Sequence, residues 1–388
     1  MGLPTISVEF KALATSAIVR SARGILAVVI QDSTASWNSL ICATVDDLKE
    51  NEFTAENYAI LKRAFDASPY RLVVVRVASG AAITAATAIL DKAAYNWVCS
   101  PVGDYQAGLV EYVKKVNGAK RVRPAKALVT GISKADNMHV VNVANTAVQL
   151  NGKADDTPML EYLPYLAGVL ATCPMDRSVT YKAMTDLERV TEVEKLDDTI
   201  DGGNLVLFLD DDTVRIARGV NTLTTLEGTS YTPGMMKIAV VEAMDMIQED
   251  IIRTFKTYYL GKKKNTADNQ ALFVSDVLTY LHSLADEDIL ERTGTISAAI
   301  DVAAMRKAWL QDDSSTASLT DEQIKVQMYA ALAYGTAGLS YYTTSNILTD
   351  AKGNKTARFN ALKTINTGVN HLGQLLFTQR AKAIYHTG

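Results

Sequence analysis

The stretch from Thr213 to Asn265 leaves the fewest structural options open. It reads TVRIARGVNTLTTLEGTSYTPGMMKIAVVEAMDMIQEDIIRTFKTYYLGKKKN. Val214 and Ile216 alternate with Arg215, and an earlier apolar run, Leu205 to Leu209, is separated from them by Asp210-Asp211-Asp212. Two such runs around a short polar break predict a β-hairpin. Arg218 to Leu223 then leaves the sheet as a loop, and Thr232-Pro233-Gly234 punctuates the way into a long helix spanning about Met236 to Tyr259. Along that helix Val240, Met244, Ile247, Ile251, Phe255 and Tyr258 recur at steps of three and four, which makes one apolar stripe for packing. Glu242, Asp245, Glu249 and Arg253 fall off the stripe. Gly261 stops the helix, and Lys262, Lys263 and Lys264 stand where a helix C-terminus favours cations.

Upstream, apolar runs alternate with helical patterns. Ile6, Val8 and Phe10 alternate with Thr5, Ser7 and Glu9, as in a half-buried strand. A less patterned stretch, Lys11 to Arg23, separates them from Gly24 to Ile30, which is continuously apolar as in a strand covered on both faces. Periodicity alone favours an edge strand folded onto its own domain; a detachable arm is the other reading. Helical segments follow within Asp47 to Phe65, with Thr54 as cap and Asn57 in the place of the usual Glu or Gln. Leu72 to Val77 reads as a buried strand, Ala81 to Ala94 as helix, Tyr95 to Cys99 as strand and Gln106 to Val116 as helix. Ala127 to Val129 and His139 to Val143 are further strands, and Glu161 to Leu170 a helix with Pro164 near its first turn. This alternation implies an α/β sandwich with a largely parallel sheet. Beyond the long helix, Phe273, Val277, Tyr280 and Leu284 line one face of a second helix. Val302, Met305 and Trp309 line a third capped by Asp301, and Thr320 with Gln323 forms a capping box for a fourth.

At 388 residues the chain is long enough for two or three cores. A net charge of −4 gives no basic face for a phosphate backbone, so nucleic acid is not an expected partner. Three widely spaced cysteines imply no disulfide framework and suit a reducing cytoplasm. No secretion signal and no apolar run near the length of a membrane span is visible, so membrane insertion is not expected either.

The succession of a hairpin, the loop ARGVNTLT and a helix ending in YYLGKKKN resembles the contractile tail sheath proteins of bacteriophages and R-type bacteriocins, the compact, diffocin-like members in particular. The opening GLPTISVEFKALATSAIVRSARGILAVVI, and Tyr95 to Cys99 followed by Pro101, carry the same resemblance, which spans about residues 2 to 326. It implies a subtilisin-like α/β sandwich as middle domain, an α+β C-terminal domain, and an N-terminal arm that adds a strand to a neighbouring subunit. The domains would be an arm and tether over 1–23, the α/β domain over 24–228, an α-rich domain over 229–330 and a divergent tail over 331–388. The resemblance further implies a helical homo-oligomer around a tail tube, with baseplate and tail terminator proteins as partners. Assembly would take place in a bacterial host's cytoplasm, for a phage or a headless bacteriocin. Ile6, Val8 and Phe10 would be the inserting arm residues. Arg218, Gly219, Asn221 and Leu223 would shape the turn between domains, Gly219 by adopting a φ that only glycine reaches cheaply. Lys262, Lys263 and Lys264 are either a solvated helix end or a contact for an acidic face of the tube or a neighbouring subunit.

The tail departs from the family. From Gln323 to Gly388 there is a single acidic residue, Asp350, against seven Lys and Arg. Leu372 to Phe377 or Ala383 to Tyr385 could supply a C-terminal arm strand; a locally basic, partly disordered tail is the alternative. No bond-making chemistry emerges. His139, His282, His371 and His386 have no neighbouring nucleophile motif, and no Walker-type phosphate loop or metal-ligand spacing is present. No catalytic residue, cofactor or metal is therefore expected. An oligomeric scaffold without contraction, or an α/β enzyme with an unrecognised site, are the rival readings.

Overall fold

The computed structural model describes residues 18, 20, 22–119, 121–305, 321–333 and 354–376. Ile6, Val8 and Phe10 lie outside the described residues, as do Trp309, Thr320 and the segment Ala383 to Tyr385. The chain divides into two compact units, Met1–Ala299 and Ile300–Gly388.

The first unit is built on a seven-stranded sheet. Its strands are β1 (Ile25–Gln31), β2 (Ser39–Cys42), β3 (Arg71–Val77), β4 (Trp97–Cys99), β5 (Lys126–Thr130), β6 (Val140–Val143) and a late one, β10 (Asn204–Leu205). Their order is β10-β6-β5-β4-β1-β3-β2, and every pairing is parallel except β2 on β3 at the edge. The continuous apolar runs are explained by cover on both faces. Leu26, Val28, Ile30, Leu72 and Val74 point one way, into a core shared with α1 (Ala55–Asp66) and α4 (Met159–Ala171). Ile25, Ala27, Val29, Val73 and Val75 point the other way, against α2 (Ile83–Leu90) and α3 (Gln106–Gly118). The largely parallel sheet with helices on both faces is the one the sequence implies.

Local signals worked at α1. The Thr54 hydroxyl accepts from the Asn57 N–H at 3.3 Å. Asn57 does not reach back to the cap as a Glu would; its amide donates to the Gln31 carbonyl and to Asp32 Oδ2, both at 2.9 Å, tying the helix to the end of β1. In α4, Pro164 lies further in than the first turn and is buried. The helix tolerates it within a wholly apolar packing face that includes Tyr162, Leu163, Leu166 and Ala167.

The sequence reading missed a small antiparallel sheet in which β7 (Ala147–Leu150) is flanked by β8 (Asp156–Pro158) and β9 (Leu187–Val190). It also missed α5 (Leu196–Asp201). These elements are short and polar, so neither period is long enough to register. The hairpin is as expected: β11 (Leu207–Asp210) pairs with β12 (Thr213–Ile216), and Asp211 turns the chain with a φ of 50°.

Helix α6 (Ile238–Thr254) continues as a short π-helical turn, Phe255–Tyr259, and α7 (Ala267–Asp286) follows, with Thr266 as its N-cap. The two helices share a cluster of Met246, Tyr280 and Leu284 with Ile247, Ile251 and Leu281 packed against it. Part of the predicted apolar stripe therefore does pack, but on α7, while Phe255 and Tyr258 at its end stay exposed.

In the second unit, α8 (Asp321–Ala333) and α9 (Ala357–Leu376) pack through Met328, Leu362, Ile365 and Val369. Residues 372–376, which could have supplied an arm strand, are helical instead. Gly368 lets the pair close up: a Cβ there would stand 2.6 Å from the Tyr329 hydroxyl.

Candidate functional site

The polar residues that fix α6 to the edge of the sheet are not those of its apolar stripe, part of which packs on α7. The β1, β4, β5 and β6 strands are parallel, so their N-terminal ends lie along one edge of the sheet. Trp97 pairs laterally with Lys126, and Ala127 with Val140, which puts Trp97, Lys126 and His139 in one row across three strands. Helix α6 crosses this row with Glu242, Asp245 and Glu249 turned inward. Three residues of helix rise about 4.5 Å, close to the roughly 4.8 Å between strands, so Glu242 reaches β4 and β5 and Asp245 reaches β5 and β6, while Glu249, four residues on, faces the arginines that precede β5 and β1.

Glu242 Oε1 accepts from the Trp97 indole N–H at 2.6 Å and lies 3.2 Å from Lys126 Nζ. Asp245 pairs with Lys126 through Oδ2, and its Oδ1 is 2.9 Å from His139 Nε2. Glu249 lies 2.7 Å from Arg123 Nε, 3.6 Å from Arg23 Nη1 and 3.4 Å from Arg253 Nη1. Arg23, which immediately precedes the turn into β1, also binds Glu242. Three buried or nearly buried carboxylates thus face Arg23, Arg123 and Lys126, with His139 beside them. Glu242, Asp245 and Glu249 lie off the apolar stripe read from the sequence, and the structure places this second face inward as well. The signal was available in part, since the three acids share one helical face and cations precede the β1 and β5 runs. An acidic stripe on a helix is more commonly a wet face, and periodicity cannot tell which face is wet.

Burial by itself would raise the Asp245 carboxyl, but Lys126 and His139 overcome it and bring it down to about 2. The same opposition, with Lys126 and Arg23 as the cations, lowers Glu242. Burial would lower the Arg23 guanidinium, yet Glu242, Asp245 and Glu249 raise it. A carboxylate whose folded pKa is depressed from 3.8 contributes stability above its unfolded value and loses it as pH falls. Asp245 should therefore contribute about 2 kcal/mol at neutral pH, lost between about pH 4 and pH 2. Urea unfolding across that interval should show a shallower pH slope in Asp245→Asn than in the parent; equal slopes would contradict the assignment.

The cluster fastens α6 to the edge of the sheet. His139 Nε2 is engaged by Asp245, and burial pushes the Cys42 thiol up to about 12 and Cys99 higher still, so neither thiol is poised as a thiolate. A buried ion pair adds little net stability, but it fixes orientation because every misregistration leaves a charge unpaired.

The loop from Arg218 to Leu223 completes the fastening. Gly219 accepts from the Ile238 N–H at 3.0 Å through its carbonyl, and Val220 bridges Lys237, so the loop is stitched to the lead-in of α6. Asn221 is fully buried: its amide donates to the Met235 carbonyl at 2.7 Å, and Oδ1 accepts from the Leu223 N–H at 3.0 Å. Leu223 is buried and Arg218 exposed. The expectation for Gly219 is corrected, because it is not among the positive-φ glycines. What it supplies is space: a Cβ would come 2.7 Å from Val179 Cγ2. Past α6, Lys262, Lys263 and Lys264 are all exposed. Lys262 donates to the Thr257 carbonyl, and Lys263 Nζ lies 5.9 Å from the Tyr259 ring centroid, as for a capped helix end.

Residues 230–322, which include α6 and α7, match the family model described as the phage tail sheath C-terminal domain. A curated tail sheath protein of Clostridium phage phiCD119 is 29% identical over 307 residues, covering 76% of this chain and 84% of the relative. Among solved structures, the sheath tail protein of Desulfitobacterium hafniense is 14% identical, covers 75% of this chain and 91% of its own, and superposes with a TM-score of 0.62. The anti-feeding prophage helical sheath in its contracted state is 12% identical over 74% of this chain and 84% of that one, with a TM-score of 0.55. The PVC sheath complex of an extracellular contractile injection system, also contracted, is 13% identical over 89% of this chain and 98% of that one, with a TM-score of 0.54. Identities this low speak for the fold alone; the match to the phage tail sheath C-terminal domain covers residues 230–322, and over about three quarters of its length the chain is similar to a curated tail sheath protein.

Proposed function

We propose that copies of this chain stack helically around a tail tube and contract to drive the tube through a bacterial envelope. The observation that carries the reading is the ion-fastened α6: it lies in the stretch matched to the sheath C-terminal domain, and it makes α6, α7 and the parallel sheet one stiff body. Contraction needs such bodies, because subunits must rotate against one another while each keeps its own shape. Heterologous contacts that do not close on themselves then generate a filament.

In this reading the chain is a structural subunit and carries out no chemistry. Residues 1–23 are arm and tether, with Ile6, Val8 and Phe10 inserting into a neighbour's sheet. The α/β domain, subtilisin-like in topology, spans 24–228, the α-rich domain 229–330 and the divergent tail 331–388. Lys262, Lys263 and Lys264 face the tube or a neighbouring subunit, and baseplate and terminator proteins bound the filament. Assembly takes place in the bacterial host before the subunit serves in a phage or bacteriocin tail. The free energy of contraction is stored at assembly, so no fuel is consumed. Negative-stain microscopy of the full chain and of a chain lacking residues 1–17 tests this. Tubes from the first and none from the second are expected; closed rings of one fixed size would overturn the contractile reading.

A further inference from the structure

The segment entering β1 is gripped by two helices at once. Ile18 packs against the cluster of Met246, Tyr280 and Leu284 shared by α6 and α7. Arg20 Nη2 donates to both carboxylate oxygens of Glu287 at 2.8 Å, just beyond the α7 C-terminus, and its guanidinium lies 5.5 Å from the Tyr280 ring centroid. Its other terminal nitrogen is 3.7 Å from Met246 Sδ. Three residues on, Arg23 is held by Glu242 and Glu249 of α6. Gly24 then turns the chain with a φ of 74°, and β1 begins at Ile25.

We propose that Ile18, Arg20 and Arg23 form the mechanical root of the N-terminal segment: a pull on the chain ahead of residue 18 passes through Arg20 and Arg23 into α7 and α6 before it reaches β1. The proposal rests on the reading that this segment links copies, and it adds where the link is fastened. One guanidinium nitrogen engages both Glu287 oxygens while the other meets Met246 Sδ, so the planar Arg20 head is held on two sides and resists displacement better than a point charge. The fixing of Ile18, Arg20 and Arg23 at separate points sets the direction in which the segment leaves. The sheet is thereby shielded, because the Gly24 turn lies on the far side of both arginines.

Two measurements test it. Glu287→Ala keeps Arg20 as a tryptic site and removes its partner. Cleavage of the soluble chain after Arg20 should become about three- to tenfold faster relative to cleavage after Lys11, with the melting temperature unchanged; an unchanged ratio overturns the clamp. In assembly, Arg20→Glu should abolish tubes, and Arg20→Glu with Glu287→Arg should restore them, which a merely structural role would not require. If removal of residues 1–17 abolishes tubes but Arg20→Glu leaves them intact, the root is wrong and the linking segment stands. If the chain lacking residues 1–17 still forms the same tubes, the linking reading fails, whereas the tryptic ratio still decides the clamp.

Discussion

Lys126→Met should destabilise the protein by about 3–5 kcal/mol, the expected cost of removing one partner from a buried ion cluster. Lys126 is 1% exposed, yet its ammonium serves Glu242 at 3.2 Å and Asp245 more closely. Methionine fills similar volume, so the loss is electrostatic: two carboxylates would remain under the sheet edge with one cation fewer. Asp245 would keep His139, and Glu242 would keep Arg23 and the Trp97 indole, which is why the effect stays below the full cost of stranding two bare charges. Combining Lys126→Met with Glu242→Gln should recover part of the loss, with a coupling of about 0.5–3 kcal/mol. Arg253→Ala is the comparison at the rim, since Arg253 also meets Glu249 but is 49% exposed, and it should cost under about 1 kcal/mol. Urea unfolding of Lys126→Met, Glu242→Gln, the double variant and Arg253→Ala gives these numbers. A loss below about 1 kcal/mol for Lys126→Met would mean that water reaches the cluster and that it does not hold α6.

The contrast between Lys126 and the apolar strands shows where sequence reading succeeds. Leu26, Val28 and Ile30 alternate with Ile25, Ala27 and Val29, and burial of both sets follows from the unbroken run. The buried central strands of the parallel sheet, the hairpin at Asp211, the Thr54 cap and the existence of α6 and α7 could be read from local pattern, because each rests on neighbours within a few residues; the short β7, β8 and β9 could not. The ion cluster could not. Its members are Arg23, Trp97, Arg123, Lys126, His139, Glu242, Asp245 and Glu249, and Arg23 meets Glu249 across more than two hundred positions of sequence. His139 reads as the polar start of a strand and Lys126 only precedes one, which is silent about what lies across the edge. The same limit applied to Gly219, where glycine suggested a torsional reason and the structure gave a steric one, set by Val179 forty residues earlier. The family resemblance drew attention to the loop because it carried the motif, but not to the chemistry beneath the helix that follows.

Asn221→Ala should cost about 2–4 kcal/mol, because one side chain answers two backbone groups, the buried Leu223 N–H and the partly buried Met235 carbonyl. Asn221 is 0% exposed; it donates to the Met235 carbonyl at 2.7 Å and accepts from the Leu223 N–H at 3.0 Å. Truncation orphans both groups, and each buried unsatisfied backbone group costs about 1–3 kcal/mol. Asn221→Asp keeps the acceptor but loses the donor, and it turns a carboxylate oxygen toward a carbonyl oxygen, so it should be at least as damaging as alanine. Arg218→Ala, three residues away and exposed, should stay within about 0.5 kcal/mol. The loop also ties in β6, where the Thr222 N–H donates to the Val140 carbonyl at 2.9 Å and its hydroxyl to the Asn137 carbonyl at 2.9 Å. Asn221 thus couples the sheet edge that carries His139 to the lead-in of the helix that carries Asp245. Loosening it should move those partners apart, so Asn221→Ala and Lys126→Met should cost less together than the sum of their separate effects. Strict additivity of the two would mean that loop and ion cluster hold α6 independently.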